Sequence, residues 1–405
     1  MKKQFVIVTF LMTLALIISA CGQAPTAVPS TAAPTTAVST TAPQATLAPT
    51  TAALPAQVVI GATLPLSGEG APYGTLFLNG LTLGVKKIND AGGVDGIKIN
   101  LISSDDRADA EQSVTQFQKL IQVNGAIFVS TAYSAPPLAQ APIADQNKTV
   151  LFNGAGFAPE LRGAGKYLFN NVPLSTDEGK VVLTYAYKDL GLRKLGLIIA
   201  SSYSKATSDF MEQFWTGMGG QVVVKATHDV NATDLRSQIE LLKNAKPDAV
   251  LLLNDGNDTI LTLTQAQQVA FHPQWLGFAG QMIDQIMSLP GADGMIADSV
   301  VYNPVPDFVS AYKAAYGSEP NFYAAQYYDQ TIILSQAIDY LVKNNKPITG
   351  ENLHDAIYQI RTFTGVNGTF TFLDDGTVAR DMMVVKIESG KQTTLKTYTA
   401  ADLSK

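Results

Sequence analysis

One cysteine, three histidines and two tryptophans are all that 405 residues contain of those types. A single cysteine excludes a disulfide framework, so the fold has to rest on its apolar core. His228, His272 and His354 lie far apart, and none has a second ligand at metal spacing. They read as packing or surface residues, and no metal or other cofactor is expected. The chain has no G-x-S-x-G elbow and no phosphate loop, and "GAGFAPELRGAGK" fits neither dinucleotide nor phosphate spacing. The carboxylate pairs Asp105-Asp106 and Asp374-Asp375 read as solvated turns, not as a general acid and base. No catalytic constellation is left, and an enzyme is not expected. Basic charge is scarce as well: the formal charge is −6, or −8 once Lys2 and Lys3 are set aside. That balance argues against nucleic acid or an anionic membrane surface as a partner.

Long apolar runs are also few. The one that stands out, Phe5 to Ala20, follows Lys2 and Lys3 in the layout of an export signal. It includes Thr9, Thr13 and Ser19 and falls short of the roughly 20 residues that span a bilayer comfortably. Its end, Ile18-Ser19-Ala20-Cys21, resembles the bacterial lipoprotein box. That resemblance implies a signal peptide over 1–20 and a diacylglycerol on Cys21, which becomes the mature N-terminus. The plainer alternative is a free or buried thiol beside an ordinary cleavage site. From Gly22 to Ala56 the chain is almost wholly Ala, Thr, Pro and Ser, without a charged residue. Such a segment cannot bury enough apolar surface to offset its ordering entropy. Residues 21–56 therefore read as a lipidated cysteine and a disordered tether, and acyl chains in combination anchor stably where one is marginal.

From Gln57 onward the chain exceeds the roughly 250–300 residues at which one core stops growing, so two lobes are expected. Short β-rich runs ("VVIGATL", "IKINLIS", "AIFVST", "TVLFNGA", "KLGLIIAS", "AVLLLND", "MIADSVVY") alternate with helical periods. In "AEQSVTQFQKLI", Val114, Phe117 and Ile121 share a face. Strands alternating with helices of this length predict an α/β fold with parallel sheets covered on both sides. Ser175 with Glu178 reads as a capping box, and glycines in "GLR" and "GMGG" close helices. The series runs twice, Gln57 to about Asn171 and about Lys194 to Tyr302. A helical block and a closing β ribbon follow.

After the first strand comes "LPLSGEGAPYGTLFLNGLTLGVKKINDAGGVDGIKI", a glycine- and proline-rich loop at a strand's carboxyl end. Ligands of open α/β sheets bind at that edge. This phrase, with "SDDRADAEQSVTQFQKLI", "APEL", "YAYKDLGLRKLGLI" and "FVSAYKAAYGSEPNFYAAQYYDQ", resembles the branched-chain amino-acid-binding proteins of ABC transporters. The likeness covers nearly all of Gln57 to Ser389. It implies the type I periplasmic-binding-protein clamshell: two Rossmann-like lobes with parallel sheets, joined by three crossovers. The lobes it implies are 57–175 with 303–380, and 176–302 with 381–400.

The resemblance also suggests site residues. Ser134 falls where the family holds a ligand carboxylate, and Pro136 and Pro137 can open a helix there. An ordinary Ser N-cap is the alternative. Ala155 matches a residue that offers its backbone carbonyl, while Phe157 replaces a family threonine. Tyr203 matches a tyrosine reaching in from the second lobe, and Tyr73 stands where an aromatic ring often packs on the ligand. Plain lobe packing would explain either tyrosine. Ala279 occupies the place of the acidic residue that pairs with an α-ammonium in amino-acid binders. A desolvated ammonium without a counter-charge is costly. Either Asp255 substitutes, or the ligand has no ammonium; Asp255 could equally serve as a turn or cap residue.

The resemblance implies a receptor on the outer side of the bacterial cell membrane, anchored through Cys21 and working as a monomer. Its ligand would be an amino acid, an aromatic or aliphatic acid, or an amide. It would hand that ligand to an ABC permease driven by its ATPase subunits. A clamshell that reports ligand to a membrane sensor is the alternative. An anchored hydrolase is a third reading, disfavoured by the missing nucleophile–base pair.

Overall fold

The computed structural model describes residues 54–403, except Glu69, Asn231, Asp255 and residues 301–304. The export segment, Cys21, nearly all of the tether and Asp255 thus lie outside the described residues.

Five strands, β1 (Gln57–Leu64), β2 (Lys98–Asp105), β3 (Phe128–Thr131), β4 (Val150–Asn153) and β5 (Leu168–Asn170), form a sheet in the order β2-β1-β3-β4-β5. All its pairings are parallel. Helices α1 (Ala71–Asp90), α2 (Ala110–Gln122) and α3 (Ala135–Asn147) connect the first four of these strands. β3 and β4 are buried at every position, as a sheet covered on both faces requires. In α2 the side chain of Asp109 accepts the Gln112 N–H at 2.7 Å, and Phe117 and Leu120 are fully buried.

The chain then enters a second sheet through α4 (Ser175–Lys188). Here β6 (Lys194–Ala200), β7 (Gln221–His228), β8 (Ala249–Leu253), β9 (Gln274–Gly277) and β10 (Ile296–Val300) pair in parallel. Helices α5 (Lys205–Gly217), α6 (Arg236–Ala245), α7 (Gly256–Gln268) and the one-turn α8 (Asp284–Met287) join them. After β10 come α9 (Pro306–Tyr316), α10 (Phe322–Lys343) and α11 (Gly350–Ile360). A three-stranded ribbon follows, β11 (Thr362–Gly365), β12 (Gly368–Phe372) and β13 (Val378–Arg380). These late elements pack on the first sheet: Ile333, Leu334, Ile357, Phe363 and Phe372 share one core with Phe128, Phe152 and Phe169. The last three rings stack at 5.3 and 5.7 Å. Each fully buried side chain of this size contributes about 1.5–3 kcal/mol. Finally β14 (Met382–Glu388) and β15 (Lys391–Tyr398) add antiparallel strands to the second sheet, giving the order β15-β14-β10-β9-β8-β6-β7. The short α12 (Ala400–Leu403) ends the described chain.

Two local expectations need correction. Ser175 is not an N-cap: Leu174 is, and Ser175 sits in the first turn of α4. Its N–H donates to the carbonyl of Phe157 at 2.7 Å, and its hydroxyl lies 3.5 Å from that of Thr207 on α5. A long-range partner for that amide moves the helix start one residue earlier than the local pattern suggests. Asp106 is not a solvated turn residue either, being fully buried. Its Oδ1 accepts the Ala108 N–H at 2.9 Å, while Oδ2 has no partner among the described residues. Burial, opposed by that hydrogen bond, pushes its carboxyl up to about 6.

Candidate ligand-binding site

At the carboxyl edge of the first sheet, β3 leads through Tyr133, in the left-handed region at φ 61°, to Ser134 at the N-cap of α3. Ser134 makes no capping bond to its own helix. Its hydroxyl oxygen instead accepts the N–H groups of Phe157 and Ala158, at 3.2 and 3.1 Å. Two N–H donors occupy the lone pairs of Oγ, so its one O–H is left to donate. Pro136 and Pro137 lack an N–H, and Ala135 alone among the first three helical residues keeps an amide donor there. This terminus therefore offers an anion the Ala135 N–H and the Ser134 hydroxyl, backed by the positive end of the helix dipole.

The loop that meets Ser134 is pinned from below. Asn153, at the end of β4, accepts the N–H groups of Ala155 and Gly156 at 3.2 and 2.7 Å and donates to the Gly156 carbonyl at 2.9 Å. A Cβ on Gly156 would stand 1.9 Å from the carbonyl oxygen of Tyr133, so only glycine allows this approach. Asp105 secures the loop after β1, its Oδ1 accepting the N–H groups of Leu66 and Ser67 at 2.9 and 3.2 Å.

Tyr73, Ala155 and Phe157 come together in one apolar cluster with Tyr133, Tyr323 and Ile283. The rings of Tyr73 and Tyr323 meet edge to face at 5.6 Å. Ile283, just before α8, brings a residue from the second sheet's connections into this cluster.

Tyr203 stands apart from that group. It follows β6, its N–H donates to the Ala200 carbonyl at 3.0 Å, and its ring packs in the second sheet's core. It also walls a separate cavity with Ser201 and His228. Ala279 is 6% exposed and opens a short 3-10 turn to Gln281. Gln281 ties this turn to the end of β8, its Nε2 donating to the carbonyl of Asn254 at 2.5 Å.

Sequence reasoning missed Asp298. The parallel register pairs Gly277 with Ala297, which sets Asp298 level with Phe278 and next to Ala279. Asp298 is fully buried, and neither carboxylate oxygen has a hydrogen-bond partner among the described residues. Burial pushes its carboxyl well above the usual carboxylate range. The N–H groups of Ala279 and of Asp298 itself favour the charged form without completing an ordinary hydrogen bond. The available signal was a lone charge inside the apolar run "MIADSVVY". Of the histidines, His272 is exposed, while His354 packs 4.6 Å from the ring of Tyr167.

The family model described as "Periplasmic binding protein" matches residues 57–392. The chain belongs to that family. Within it, the chain is similar to the leucine/isoleucine/valine-binding branch of ABC-transporter receptors. Leu/Ile/Val-binding protein homolog 8 of Brucella abortus (strain 2308) is 30% identical over 295 residues, covering 67% of this chain and 72% of that protein. Among solved structures, the leucine-binding protein LivK of Thermotoga maritima superposes with a TM-score of 0.77 at 22% identity, covering 85% of this chain and 99% of the other. A Rhodopseudomonas palustris solute-binding protein of an ABC transporter, in complex with 3,4-dihydroxybenzoic acid, gives 0.76 at 20% identity, covering 85% and 98%. These likenesses establish the α/β fold of type I periplasmic binding proteins, with its parallel-sheet lobes. Among the described residues, no group of three or more His, Cys, Asp or Glu side chains could hold a metal ion, and no helix is long and apolar enough to cross a membrane.

Proposed function

We propose that this receptor captures a small carboxylate-bearing solute between its lobes, 57–175 with 303–380 and 176–302 with 381–400, and delivers it to an ABC permease. One observation carries this reading. At the N-terminus of α3, Ser134 has both lone pairs occupied by the N–H groups of Phe157 and Ala158, and its O–H is left to meet an anion. Tyr73, Ala155 and Phe157 give that anion an apolar neighbour. Tyr203 and Ala279 supply the opposing lobe's wall, and closure is a hinge motion about the crossovers. Cys21, through its lipid, keeps the receptor at the outer face of the membrane.

With Ala279 in the acidic position, the pocket suits an aromatic or aliphatic acid. The relative that holds 3,4-dihydroxybenzoic acid supports that side. A second reading has a specific observation in its favour: Asp298, next to Ala279 and without a hydrogen-bond partner among the described residues, would balance the ammonium of an amino acid if that charge drew off its proton, as could Asp255.

A thermal-shift screen of the full chain against amino acids, aromatic and aliphatic acids and amides tests the proposal. A solute at 100 times its Kd adds about 2.7 kcal/mol, a rise of several degrees in Tm. The expected hits carry a carboxylate. A strong shift confined to the amides, with every carboxylate silent, contradicts the proposal.

A further inference from the structure

Two of the passages between the sheets leave from one buried polar knot. β5 ends at Asn170 and α4 begins at Ser175, so the chain first crosses to the second sheet through residues 171–174. β13 ends at Arg380 and β14 begins at Met382, which leaves Asp381 alone as the last crossover. Arg380 is 3% exposed. Its Nη1 donates to Oε1 of Gln326 on α10 at 3.3 Å and, more loosely, to the Asn171 carbonyl at 3.5 Å. Its Nη2 donates at 2.5 Å to the carbonyl of Asn367, in the turn between β11 and β12.

Gln326, fully buried, closes the knot. Its Nε2 donates to the Asn171 carbonyl, and Nδ2 of Asn171 donates to the Gln326 carbonyl at 3.1 Å. The Asn171 N–H in turn donates to the carbonyl of Asn153 at 3.1 Å. Asn153 is the residue that pins Ala155 and Gly156, so the knot reaches the loop beside Ser134. A buried guanidinium is costly, and burial pulls this one down to about 10, opposed by the charges of Asp329 and Asp381. An apolar side chain would hold the ribbon on α10 without that penalty. A rigid fork of donors does what an apolar chain cannot: it bridges a crossover, a helix and a turn at once.

We infer that Arg380 is a positioning residue for lobe closure: with Gln326 and Asn171 it locks the first-lobe ends of both crossovers together, so the lobes turn about one axis through residues 172–174 and Asp381. The inference rests on the two-lobe closure of the proposed function and says where that motion pivots. A loosened knot widens the range of lobe angles. Fewer molecules then hold the binding-competent arrangement, and apparent affinity falls by that fraction.

Spin labels on Val123→Cys, at the end of α2, and Leu241→Cys, on α6, test this in the full chain carrying Cys21→Ser. Both positions are exposed, and the labels report the distance between the lobes. Without ligand, Arg380→Lys, which puts a single ammonium in place of the fork, should broaden the distance distribution beyond that of the parent. Calorimetry should show the best-bound carboxylate of the thermal screen held about tenfold more weakly. Gln326→Met removes the shared acceptor and keeps the charge, and it should give the same two readings should Arg380→Lys fold poorly. A distribution as narrow as the parent's in every variant that folds, or unchanged affinity in a variant whose distances broaden, overturns the inference and leaves the carboxylate reading intact. Silence of every carboxylate contradicts the carboxylate reading instead, and the distances, measured without ligand, then decide on the pivot by themselves.

Discussion

Asp106 shows how one buried carboxyl links position to pH. In the folded chain it holds its proton up to about 6, against an ordinary value of 3.8. Between those values the folded state binds more protons than the unfolded one, so this group's contribution to stability falls as pH rises from about 4 to 6. Asp106→Asn preserves an acceptor for the Ala108 N–H and has no charge to desolvate. The substitution should therefore stabilise the protein at pH 7–8 by up to about 3 kcal/mol, and the gain should vanish below about pH 4. Urea midpoints of both chains across that range check it; a gain independent of pH would contradict it. The stretch "SDDRAD" reads as a turn, and half of it is one, since Asp105 does bind the loop amides of Leu66 and Ser67. That its neighbour is buried depends on which side of β2 faces the protein interior, and nothing local records that. Asp298 was hidden for the same reason, whereas the family likeness gives Ser134 and Phe157 places in their loops, and their part in binding stands as a proposal.

At the level of elements, α1 and α10 approach closely enough that glycine becomes a structural requirement. A Cβ on Gly80 would stand 2.2 Å from the carbonyl oxygen of Ala324, and one on Gly84 would stand 2.0 Å from Oγ1 of Thr331. Gly80→Val meets backbone, which cannot rotate out of the way, so it should cost about 3 kcal/mol or more. A fall in the denaturant midpoint of that size checks it, and a near-neutral result would mean that the two helices can slide apart. The alternation of strands and helices was legible because period-2 and period-3.6 patterns are local properties of the chain. The start of α4 was not, because the Ser175 N–H bonds to the Phe157 carbonyl across the loop, a partner that no local pattern records.

For the whole molecule, the repeated βα series announced two sheets, and both are present with parallel central strands. Periodicity alone does not say how the late segments divide between them; that division was an expectation from the family resemblance. Residues of α10, α11 and β11–β12 enter the first sheet's core, and β14–β15 extend the second. The placement of these segments is decided by burial of rings such as Phe363 and Phe372 against Phe152 and Phe169, contacts between residues roughly 200 positions apart. The central claim is that this fold presents Ser134 and the start of α3 to the carboxylate of a small solute. The direct measurement is calorimetric titration of the wild-type chain and Ser134→Ala with the best-bound carboxylate of the thermal screen and with its methyl ester. On the wild type the acid should bind about ten to a hundred times more tightly than the ester, the range expected for hydrogen bonds to a charged group. Ser134→Ala should lose most of that advantage. Equal affinity for acid and ester, or a Ser134→Ala chain that still discriminates fully between them, would contradict the account.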